Sequence, residues 1–360
     1  MVGKLAKRVN QKLFPKTYLF APEWIVLGVN NVCNLHCKMC DVGTKNLESN
    51  FAQNLVGTHP INMPLELIEK VINQTALYYP KAKLAYAFTE PMVYPHLIES
   101  LQLATAKNLY TTVTTNALTL KQKAGNLSET KLNELYISLD GPQDIHNEIR
   151  GHKKSFQKAI EGIEIISKQK HVPRISVICA ITEWNIGHLK ELLEALKPYP
   201  IYEVGFMHTQ FNTIESAKIH NQSKWGVDYP THDSNVDIID FSKMNLEILN
   251  NEISSIKKEK FPFNVYFSPE IQSLEGMENY YHNTTSFIGK SCNAVFTNLM
   301  IKSDGSVIPA HGRCYNLTVG NLYNSSLKDI WKSPKLKKLR TDLTSAGGLF
   351  PSCSRCCSAV

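Results

Sequence analysis

The sequence predicts an α/β fold built on a partial (β/α)6 barrel of parallel strands, and two observations predict it. Short apolar runs alternate with segments of helical spacing about six times between residues 23 and 208, as in βαβ units with a parallel sheet. The runs are apolar on both faces, as strands covered on both sides require. The predicted strands are Trp24–Val29, Leu84–Phe88, Tyr110–Thr115, Leu135–Leu139, Ile175–Ile181 and Tyr202–Met207, and the predicted helices are Pro64–Ala76, Pro95–Ala106, Ser155–Lys168 and Ile186–Leu196.

Residues 209–291 interrupt this alternation and are interpreted as a lid or linker, with one amphipathic helix over Phe241–Lys258. Residues 292–360 form a predicted small C-terminal domain. In it, Asp304-Gly305 is the turn of a β-hairpin, and Leu327–Leu339 is a short helix before a cysteine-rich tail.

Residues 1–22 are a predicted basic N-terminal arm. Val2, Leu5, Val9 and Leu13 fall on one helical face, with lysine and arginine elsewhere. Such a helix can lie on a membrane surface. The sequence favours the plainer interpretation, a solvated helix or an arm packed on the barrel.

Composition narrows the class of protein. The chain has 360 residues and is 43% hydrophobic, which is too apolar for wholesale disorder, and it has no apolar run long enough to cross a membrane. The net charge of +7 is mild and spread along the chain, so it does not indicate nucleic acid. No secretory signal is recognisable, so a reducing, cytoplasmic location is expected. There, grouped cysteines are metal or redox ligands, and eight of the nine cysteines are grouped.

The first group is Cys33, Cys37 and Cys40, directly after the first predicted strand. Loops at the C-terminal ends of parallel strands carry the chemistry of such folds. Three thiolates are one too few for a closed zinc site or a fully ligated 4Fe–4S cluster. A zinc site would need a fourth ligand, and His36 is the nearest candidate. A 4Fe–4S cluster with three cysteine ligands would leave one iron open.

The CxxxCxxC spacing at this position resembles the signature of the radical S-adenosylmethionine (SAM) superfamily. The resemblance implies that the open iron binds SAM and that an electron, delivered by a flavodoxin- or ferredoxin-type donor, cleaves it to a 5′-deoxyadenosyl radical. Met39 stands where an aromatic residue often packs on the adenine.

Further motifs at successive strand ends support the resemblance. Phe88-Thr89-Glu90-Pro91 resembles a GGEP motif in which both glycines are replaced, and Thr114-Thr115-Asn116 resembles a TNG segment. The resemblance implies that a serine and an arginine hold the methionine carboxylate, an anion that suits the arginine fork. Taken alone, a glutamate or arginine here is more often a solvated or salt-bridged residue. The implied cofactor contacts are Thr89, Glu90, Thr115, Asn116, Ser138, Asp140 and Arg150.

The fifth strand is expected to place Val177 against the adenine. Because strand side chains alternate, Cys179 would then also point into the barrel. An inward thiol could return a hydrogen atom to a substrate radical, as an epimerase needs. The alternative is a small buried cysteine that acts as a hydrophobic side chain.

The C-terminal cysteines resemble the ligands of SPASM and twitch domains, which hold auxiliary iron–sulfur clusters. The remaining cysteines suffice for one cluster, for which the resemblance implies an electron-transfer role. Ala310 stands where a ligand often occurs, so Cys314 is expected to replace it, with His311 as a weaker candidate. A structural zinc site remains the alternative. The expected ligands are Cys292, Cys314, Cys353 and Cys356, or Cys357 in place of Cys356.

The substrate is less determined than the initiating chemistry. The main expectation is oxidation or epimerisation of a small carbohydrate-like molecule, a sugar or an aminocyclitol, because one auxiliary cluster resembles such enzymes and only a short arm precedes the first strand. Two alternatives stay open. One is modification of a ribosomal peptide or a protein side chain, and the other is a non-catalytic iron–sulfur or zinc protein.

Overall fold

The computed structural model describes residues 2–55, 61–236, 239–356 and 359. It contains one ten-stranded sheet, with the order β10-β9-β8-β1-β2-β3-β4-β5-β6-β7. The strands are β1 Trp24–Leu27, β2 Lys83–Tyr86, β3 Thr111–Thr115, β4 Glu134–Ser138, β5 Arg174–Ile181, β6 Glu203–His208, β7 Asn264–Ser268, β8 Asn298–Ile301, β9 Ser306–Ile308 and β10 Gly320–Asn321.

Helices cover the sheet and connect its strands. In chain order they are α1 Val2–Leu13, α2 Asp41–Thr44, α3 Asn50–Leu55, α4 Leu65–Tyr78, α5 Leu97–Ala106, α6 Leu120–Glu129, α7 Gln143–Arg150, α8 Ser155–Ile166, α9 Leu189–Leu196, α10 Ile214–Gln222, α11 Leu246–Lys258, α12 Leu274–Tyr281, α13 Ala294–Thr297, α14 Leu327–Trp331 and α15 Pro334–Ser345. Short 3₁₀ turns lie at Pro15–Thr17, Pro91–Val93, Phe241–Lys243 and Pro351–Cys353.

The predicted parallel α/β sheet is confirmed. Neighbouring strands from β1 to β7 all pair in parallel, and no ladder among the described residues joins β7 to β10, so the barrel is open. Apolar side chains such as Ile25 and Leu27 on β1 are fully buried. Burial of this kind contributes about 25 cal/mol per Å² of apolar surface.

Two parts of the sheet differ from the prediction. β7 lies within residues 209–291, so the alternation continues for one more unit beyond β6. It was missed because only Phe267 is buried in it, while its other side chains are exposed or half-buried. The hairpin of β8 and β9 is confirmed. β8 also pairs in parallel with β1, so the C-terminal segment extends the main sheet.

The two faces of the sheet have different chemistry. On one face Phe206 stacks on Phe267 at 5.0 Å between ring centroids, and Lys257 of α11 lies over that second ring. This is therefore the helix-covered face. On the other face a Cβ placed on Gly205 would lie 2.4 Å from the ring of Tyr266, so that ring points to the interior side. The side chains that alternate with the helix-facing ones line the open barrel.

No helix in the described parts of the chain is both long enough and apolar enough to span a bilayer.

The buried His208 at the end of β6 predicts an acid-dependent loss of stability. Its Nδ1 lies 2.7 Å from the Tyr281 hydroxyl, its Nε2 is buried without a hydrogen-bond partner, and burial lowers its pKa to about 3. The unfolded chain therefore binds the proton first. The contribution is complete above pH 6.5 and decreases by about 1.4 kcal/mol per pH unit as the pH falls towards the folded pKa. Urea unfolding measured at several pH values between 7 and 5 (about two units) should show that the free energy of unfolding depends less on pH in His208→Gln than in the parent. The exposed His171→Gln is the control. An unchanged slope would contradict the assignment.

Candidate active site

The loop after β1 places three cysteines at the C-terminal edge of the sheet. Cys37 is buried, and its backbone carbonyl accepts the Cys40 N–H at 3.2 Å. Burial raises the pKa of Cys37 to about 12. The Arg150 guanidinium opposes this rise, and the neighbouring Cys40, Asp140 and Cys33 add to it. The three sulfurs are thus within electrostatic reach of one another, in a place where thiolates need a positive partner.

Arg150, the last residue of α7, supplies positive charge beside these thiols. Its Nε donates to Asp140 Oδ2 at 2.5 Å, and its Nη1 lies 3.7 Å from Cys37 Sγ. The helix ends there because Gly151 adopts a left-handed φ of 65°, and a Cβ at that glycine would lie 2.9 Å from the His36 carbonyl. Asp140 and Cys37 together outweigh burial and raise the pKa of Arg150. The arginine is therefore permanently charged and fixed in place.

The Asp140 side chain is fully buried, and the protein donates a hydrogen bond to each of its carboxylate oxygens. While Oδ2 accepts from Arg150, Oδ1 accepts the Ala180 N–H at 3.0 Å. Asn185 and His146 complete the support: the Asn185 amide donates to the Asp140 carbonyl at 2.8 Å, and the Asp140 N–H donates to His146 Nδ1 at 3.1 Å. Neither residue is predicted from the sequence. Their only sequence signal is their position shortly after β5 and β4.

Glu90 is fully buried at the end of β2 and fixes the end of β3. Its Oε1 accepts from the Thr115 hydroxyl at 2.7 Å and from the Met92 N–H at 2.9 Å. Its Oε2 accepts the Asn116 N–H at 2.7 Å. Three donors satisfy the carboxylate, so the backbone of this turn is the part available to a ligand. Phe88 replaces a glycine of the motif but has a positive φ of 91°, which glycine adopts readily. This conformation costs on the order of 1–3 kcal/mol in a non-glycine residue.

Two asparagines link these strand ends to the cysteine loop. The Asn30 amide donates to the Glu90 carbonyl at 3.0 Å, and Thr89 Oγ1 donates to the Asn30 carbonyl at 2.9 Å. The Asn116 amide donates to Asn34 Oδ1 at 2.8 Å. Thr89, Glu90, Thr115 and Asn116 are therefore brought together at this edge of the sheet. Asn30 and Asn34 were missed, although both flank Cys33 in the sequence.

Met39 lies beside the segment that follows β6, whereas Ser138 is the last residue of β4. Met39 lines a small cavity with Asn235 and Ile239, residues of the segment that follows β6. Ser138 is partly exposed at the end of β4, and its register partner on β5 is Ile178.

The expected orientation of Val177 and Cys179 is wrong. Cys179 pairs in register with Phe206, which belongs to the helix-covered face, and both Val177 and Cys179 are fully buried. The partly exposed Ile178 and Ala180 alternate with them and face the barrel interior. The Cys179 thiol instead lies 3.6 Å from the Asn185 amide, and burial raises its pKa well above the usual value. The prediction failed because it began from the wrong inward residue.

A short segment connects the two cysteine groups. Asp41 follows Cys40 and accepts hydrogen bonds from the Ser234 hydroxyl at 2.9 Å and the Asn235 N–H at 3.1 Å. On α3, the amide of Asn54 donates to the Cys314 carbonyl at 2.8 Å and to the Gly312 carbonyl at 2.9 Å. The segment from Cys40 to Asn54 therefore connects the N-terminal cysteine loop to the loop of Cys314 and fixes the position of one loop relative to the other.

Four of the C-terminal cysteines surround one buried position. The pKa of Tyr315 is raised well above its usual value by burial and then by Cys314, Cys292 and Cys353, so all three thiols are within electrostatic reach of its hydroxyl. Cys314 and Cys353 also line a small cavity with Cys356, and Gln210 and Asn212, which follow β6, line the same cavity. The site therefore faces the C-terminal edge of the sheet. Cys357 lies outside the described residues.

His311 contacts the last of these thiols. Its Nδ1 accepts the Arg313 N–H at 3.2 Å, so the neutral ring carries its proton on Nε2, and this atom lies 3.3 Å from Cys356 Sγ. Burial and then the Arg313 charge lower the pKa of His311 to about 4. The ring is thus oriented as a hydrogen-bond donor to sulfur.

Both cysteine groups fit iron–sulfur clusters by their donor chemistry. No three histidine, cysteine or acidic side chains in the described ranges already stand at metal-binding spacing. The convergence is nonetheless specific: the first three thiols influence one another, with Cys37 beside Arg150, and three C-terminal thiols influence Tyr315, which lines the same cavity as Cys356. A bound metal ion supplies the positive charge that deprotonates the thiols that coordinate it.

Comparison with known families agrees with this arrangement. The model of the radical SAM superfamily matches residues 28–196, and that of the SPASM iron-sulfur cluster-binding domain matches residues 292–357. The chain contains a radical SAM domain followed by a SPASM domain. The two domains of this radical SAM protein imply SAM and two 4Fe–4S clusters as cofactors.

Three curated relatives are distant in sequence. The AdoMet-dependent heme synthase of Oleidesulfovibrio alaskensis is 25% identical over 47% of this chain, and the Fe-coproporphyrin III synthase of Methanosarcina barkeri is 22% identical over 51%. These alignments span only 41% and 43% of the two relatives. The cysteine-type anaerobic sulfatase-maturating enzyme of Clostridium perfringens is 21% identical over 92% of this chain and 85% of its own length.

Solved structures share the fold of this radical SAM protein. SuiB of Streptococcus suis, bound to its precursor peptide SuiA, aligns with a TM-score of 0.64 at 17% identity and covers 94% of this chain and 71% of SuiB. The protein anSMEcpe, solved with AdoMet and the Cp18Cys peptide, aligns with a TM-score of 0.59 at 19% identity over 92% of this chain and 85% of its own.

Proposed function

We propose that this radical SAM enzyme removes a hydrogen atom from a side chain of a peptide or protein substrate. One observation carries the proposal: the sulfatase-maturating relative aligns over 92% of this chain and 85% of its own length, so the similarity includes the region between the two domains. The haem-related relatives align over less than half of their lengths. None of the relatives named above is named for a sugar, so the carbohydrate expectation has weaker support.

The position of the auxiliary site also supports the proposal. Gln210 and Asn212, just beyond β6, line the same cavity as Cys314 and Cys356. The loop of Cys33 lies at the corresponding end of β1. A substrate bound at this edge of the sheet would therefore lie between a radical-generating centre and an electron acceptor, an arrangement that suits a two-electron oxidation.

In this proposal Cys33, Cys37 and Cys40 would hold a 4Fe–4S cluster. The bound cluster would supply the electron that cleaves SAM. Arg150 and Ser138 receive the methionine carboxylate. The turn at Thr89 receives the ammonium group through its backbone, while Glu90, Thr115 and Asn116 hold that turn in shape. Ile178 replaces Val177 as the apolar contact of the adenine, because it faces the interior side.

At the second site Cys292, Cys314, Cys353 and Cys356 hold the auxiliary cluster. A fully ligated cluster has no open iron, so its role is electron transfer. A flavodoxin- or ferredoxin-type protein would deliver the initiating electron.

Anaerobic reconstitution tests the proposal. We expect about eight iron atoms per chain, from two cubane clusters, and release of 5′-deoxyadenosine from SAM and dithionite. Mass spectrometry of short peptides encoded near the gene should show a loss of two hydrogen atoms in one of them, accompanied by faster nucleoside release. Nucleotide sugars and aminocyclitols form the comparison arm. Zinc without nucleoside release would overturn the enzyme assignment, and stimulation by sugars alone would overturn the peptide assignment.

Replacing His311 with phenylalanine distinguishes a sulfur hydrogen bond from metal ligation. Removing an N–H donor from Cys356 should lower the auxiliary cluster's reduction potential by tens of millivolts (about 50 mV), because such bonds stabilise the reduced cluster. The iron content should stay at about eight atoms per chain. Redox titration followed by electron paramagnetic resonance measures the shift. The exposed His232→Phe is the matched control. A loss of half the iron would show instead that His311 is a ligand.

A further inference from the structure

The N-terminal helix α1 is attached to the protein through its polar side. Asn10 is buried, its amide donates to the Phe14 carbonyl at 3.0 Å, and its Oδ1 accepts the Leu19 N–H at 2.9 Å. The Gln11 amide donates to the Cys292 carbonyl at 3.1 Å, and Lys7 pairs with Glu23 at 2.6 Å. These contacts fix which side of the helix faces outward.

The outward side carries large apolar residues. Leu5 is 65% exposed, Val9 45% and Leu13 63%. The spacing of four residues places these three on one stripe of the helix. Phe14 and Leu19, in the turn that follows, are 59% and 85% exposed. This is the reverse of the usual amphipathic arrangement, in which the apolar stripe faces the core. It also differs from an arm packed on the barrel, one of the two plainer interpretations of the sequence.

Basic residues accompany this stripe. Arg8, Lys12 and Lys16 are all exposed next to it. A groove of about 350 Å³ adjoins Leu19, and its lining includes the exposed residues Leu77, Tyr78, Lys328 and Lys332. We define the N-terminal face as α1, the segment 14–21 and this groove.

Two acidic residues near the N-terminal face, Glu23 and Asp329, are already engaged. Glu23 pairs with Lys7, and the Asp329 carboxylate accepts from the hydroxyl of Ser326, the N-cap residue of α14. The exposed charge that accompanies the apolar stripe is therefore predominantly positive.

We propose that the N-terminal face binds the surface of a membrane rich in anionic lipids. A helix with a strong apolar face, flanking lysine and arginine, and low mean hydropathy lies in the plane of the lipid headgroups. Its apolar side chains enter the boundary with the acyl chains, and its cations meet the lipid phosphates. A protein partner that buried only apolar surface would gain nothing from the row of cations, so charge complementarity favours lipid.

The geometry leaves the active site free when the face is bound. The segment 14–21 leads into the N-terminal end of β1, and Tyr78 lies just before β2. The cysteine loop and the Glu90 turn lie at the opposite, C-terminal ends of the same two strands. The face therefore holds the enzyme at a membrane with its reactive edge turned away from the lipid. This inference is independent of the proposed peptide substrate.

Vesicle flotation of the anaerobically purified holoenzyme tests the proposal. The protein should float with vesicles of phosphatidylcholine containing about one third phosphatidylglycerol, and should stay below with phosphatidylcholine alone. Replacing Leu5, Leu13 and Leu19 with glutamine should lower the partition constant at least about tenfold. Replacing Arg8, Lys12 and Lys16 with glutamine should have a similar effect. All these side chains are exposed, so the melting temperature should change by only a few degrees (about 2 °C).

Ile214, Ile219 and Val227, which are also exposed apolar residues, form the matched control when replaced with glutamine, and this variant should float like the parent. Two results would overturn the proposal. One is equal flotation of the leucine variant and the parent. The other is a parent protein that floats with neither kind of vesicle but is a dimer by light scattering, while the leucine variant is a monomer. That result would make the face a contact between two copies of the chain.

Discussion

Replacing Cys37 with alanine is expected to abolish the release of 5′-deoxyadenosine and to lower the iron content from about eight to about four atoms per chain. The first cluster has only three protein ligands in this proposal, and Cys37 is the most deeply buried of them. Its sulfur also lies 3.7 Å from Arg150 Nη1, so the substitution removes a charge partner of the arginine. Iron analysis and chromatography of the nucleoside product measure both effects. The auxiliary cluster should remain and keep its paramagnetic signal.

Cys179→Ala is the matched control, because it removes another buried thiol in the same manner. Cys179 lies on the helix-covered face, so the variant should release the nucleoside at the rate of the parent and keep about eight iron atoms per chain. A product that gains solvent deuterium in the parent and loses this label in Cys179→Ala would contradict the placement of the thiol. Full nucleoside release by Cys37→Ala would contradict the assignment of the first cluster.

The sequence predicted β1 to β6 because parallel strands covered on both sides are continuous apolar runs. β7 escaped the same reasoning because only Phe267 is buried in it. The predicted helix over Leu327–Leu339 is two helices, α14 and α15. Pro334 begins the second of them and cannot continue the first. Short-range composition thus identified the strands with buried sides and missed elements whose formation depends on their neighbours.

The residues of the candidate site were also predicted only where the chain order carries a signal. Cysteine spacing and the order of polar residues at strand ends identified Glu90, Thr115 and Arg150, because chain order fixes which strand ends are neighbours in a parallel sheet. The partners that orient them, such as Asn185 and Asn30, contact them across loops, and no periodicity marks such residues. The predicted orientation of Val177 depended on one assumption about which side chains of β5 point into the barrel. An error of one residue in that assumption reverses the orientation of every side chain in the strand.

Replacing Asp140 with alanine is expected to destabilise the protein by about 3–5 kcal/mol, because it leaves the buried Arg150 without its counter-charge. The side chain of Asp140 is fully buried and that of Arg150 is 11% exposed. The substitution also leaves the Ala180 N–H without its acceptor. Urea denaturation of the holoenzyme measures the loss. Since Arg150 then moves freely beside Cys37, the KM for SAM should rise by about tenfold, equal to one lost charge-assisted hydrogen bond.

The ion pair between Lys38 and Glu148 provides the control. Its Nζ and Oε1 atoms are 2.6 Å apart and near the same loop, but the pair is in contact with water. Glu148→Ala should cost no more than about 1 kcal/mol, and less in high salt, whereas the loss in Asp140→Ala should not depend on salt because the pair is shielded from ions. In a double-mutant cycle, Asp140→Ala with Arg150→Ala should cost less than the sum of the single variants, since the second substitution removes the uncompensated charge. Additive losses would mean that the two side chains stabilise the site independently, and that Asp140 does not position the arginine.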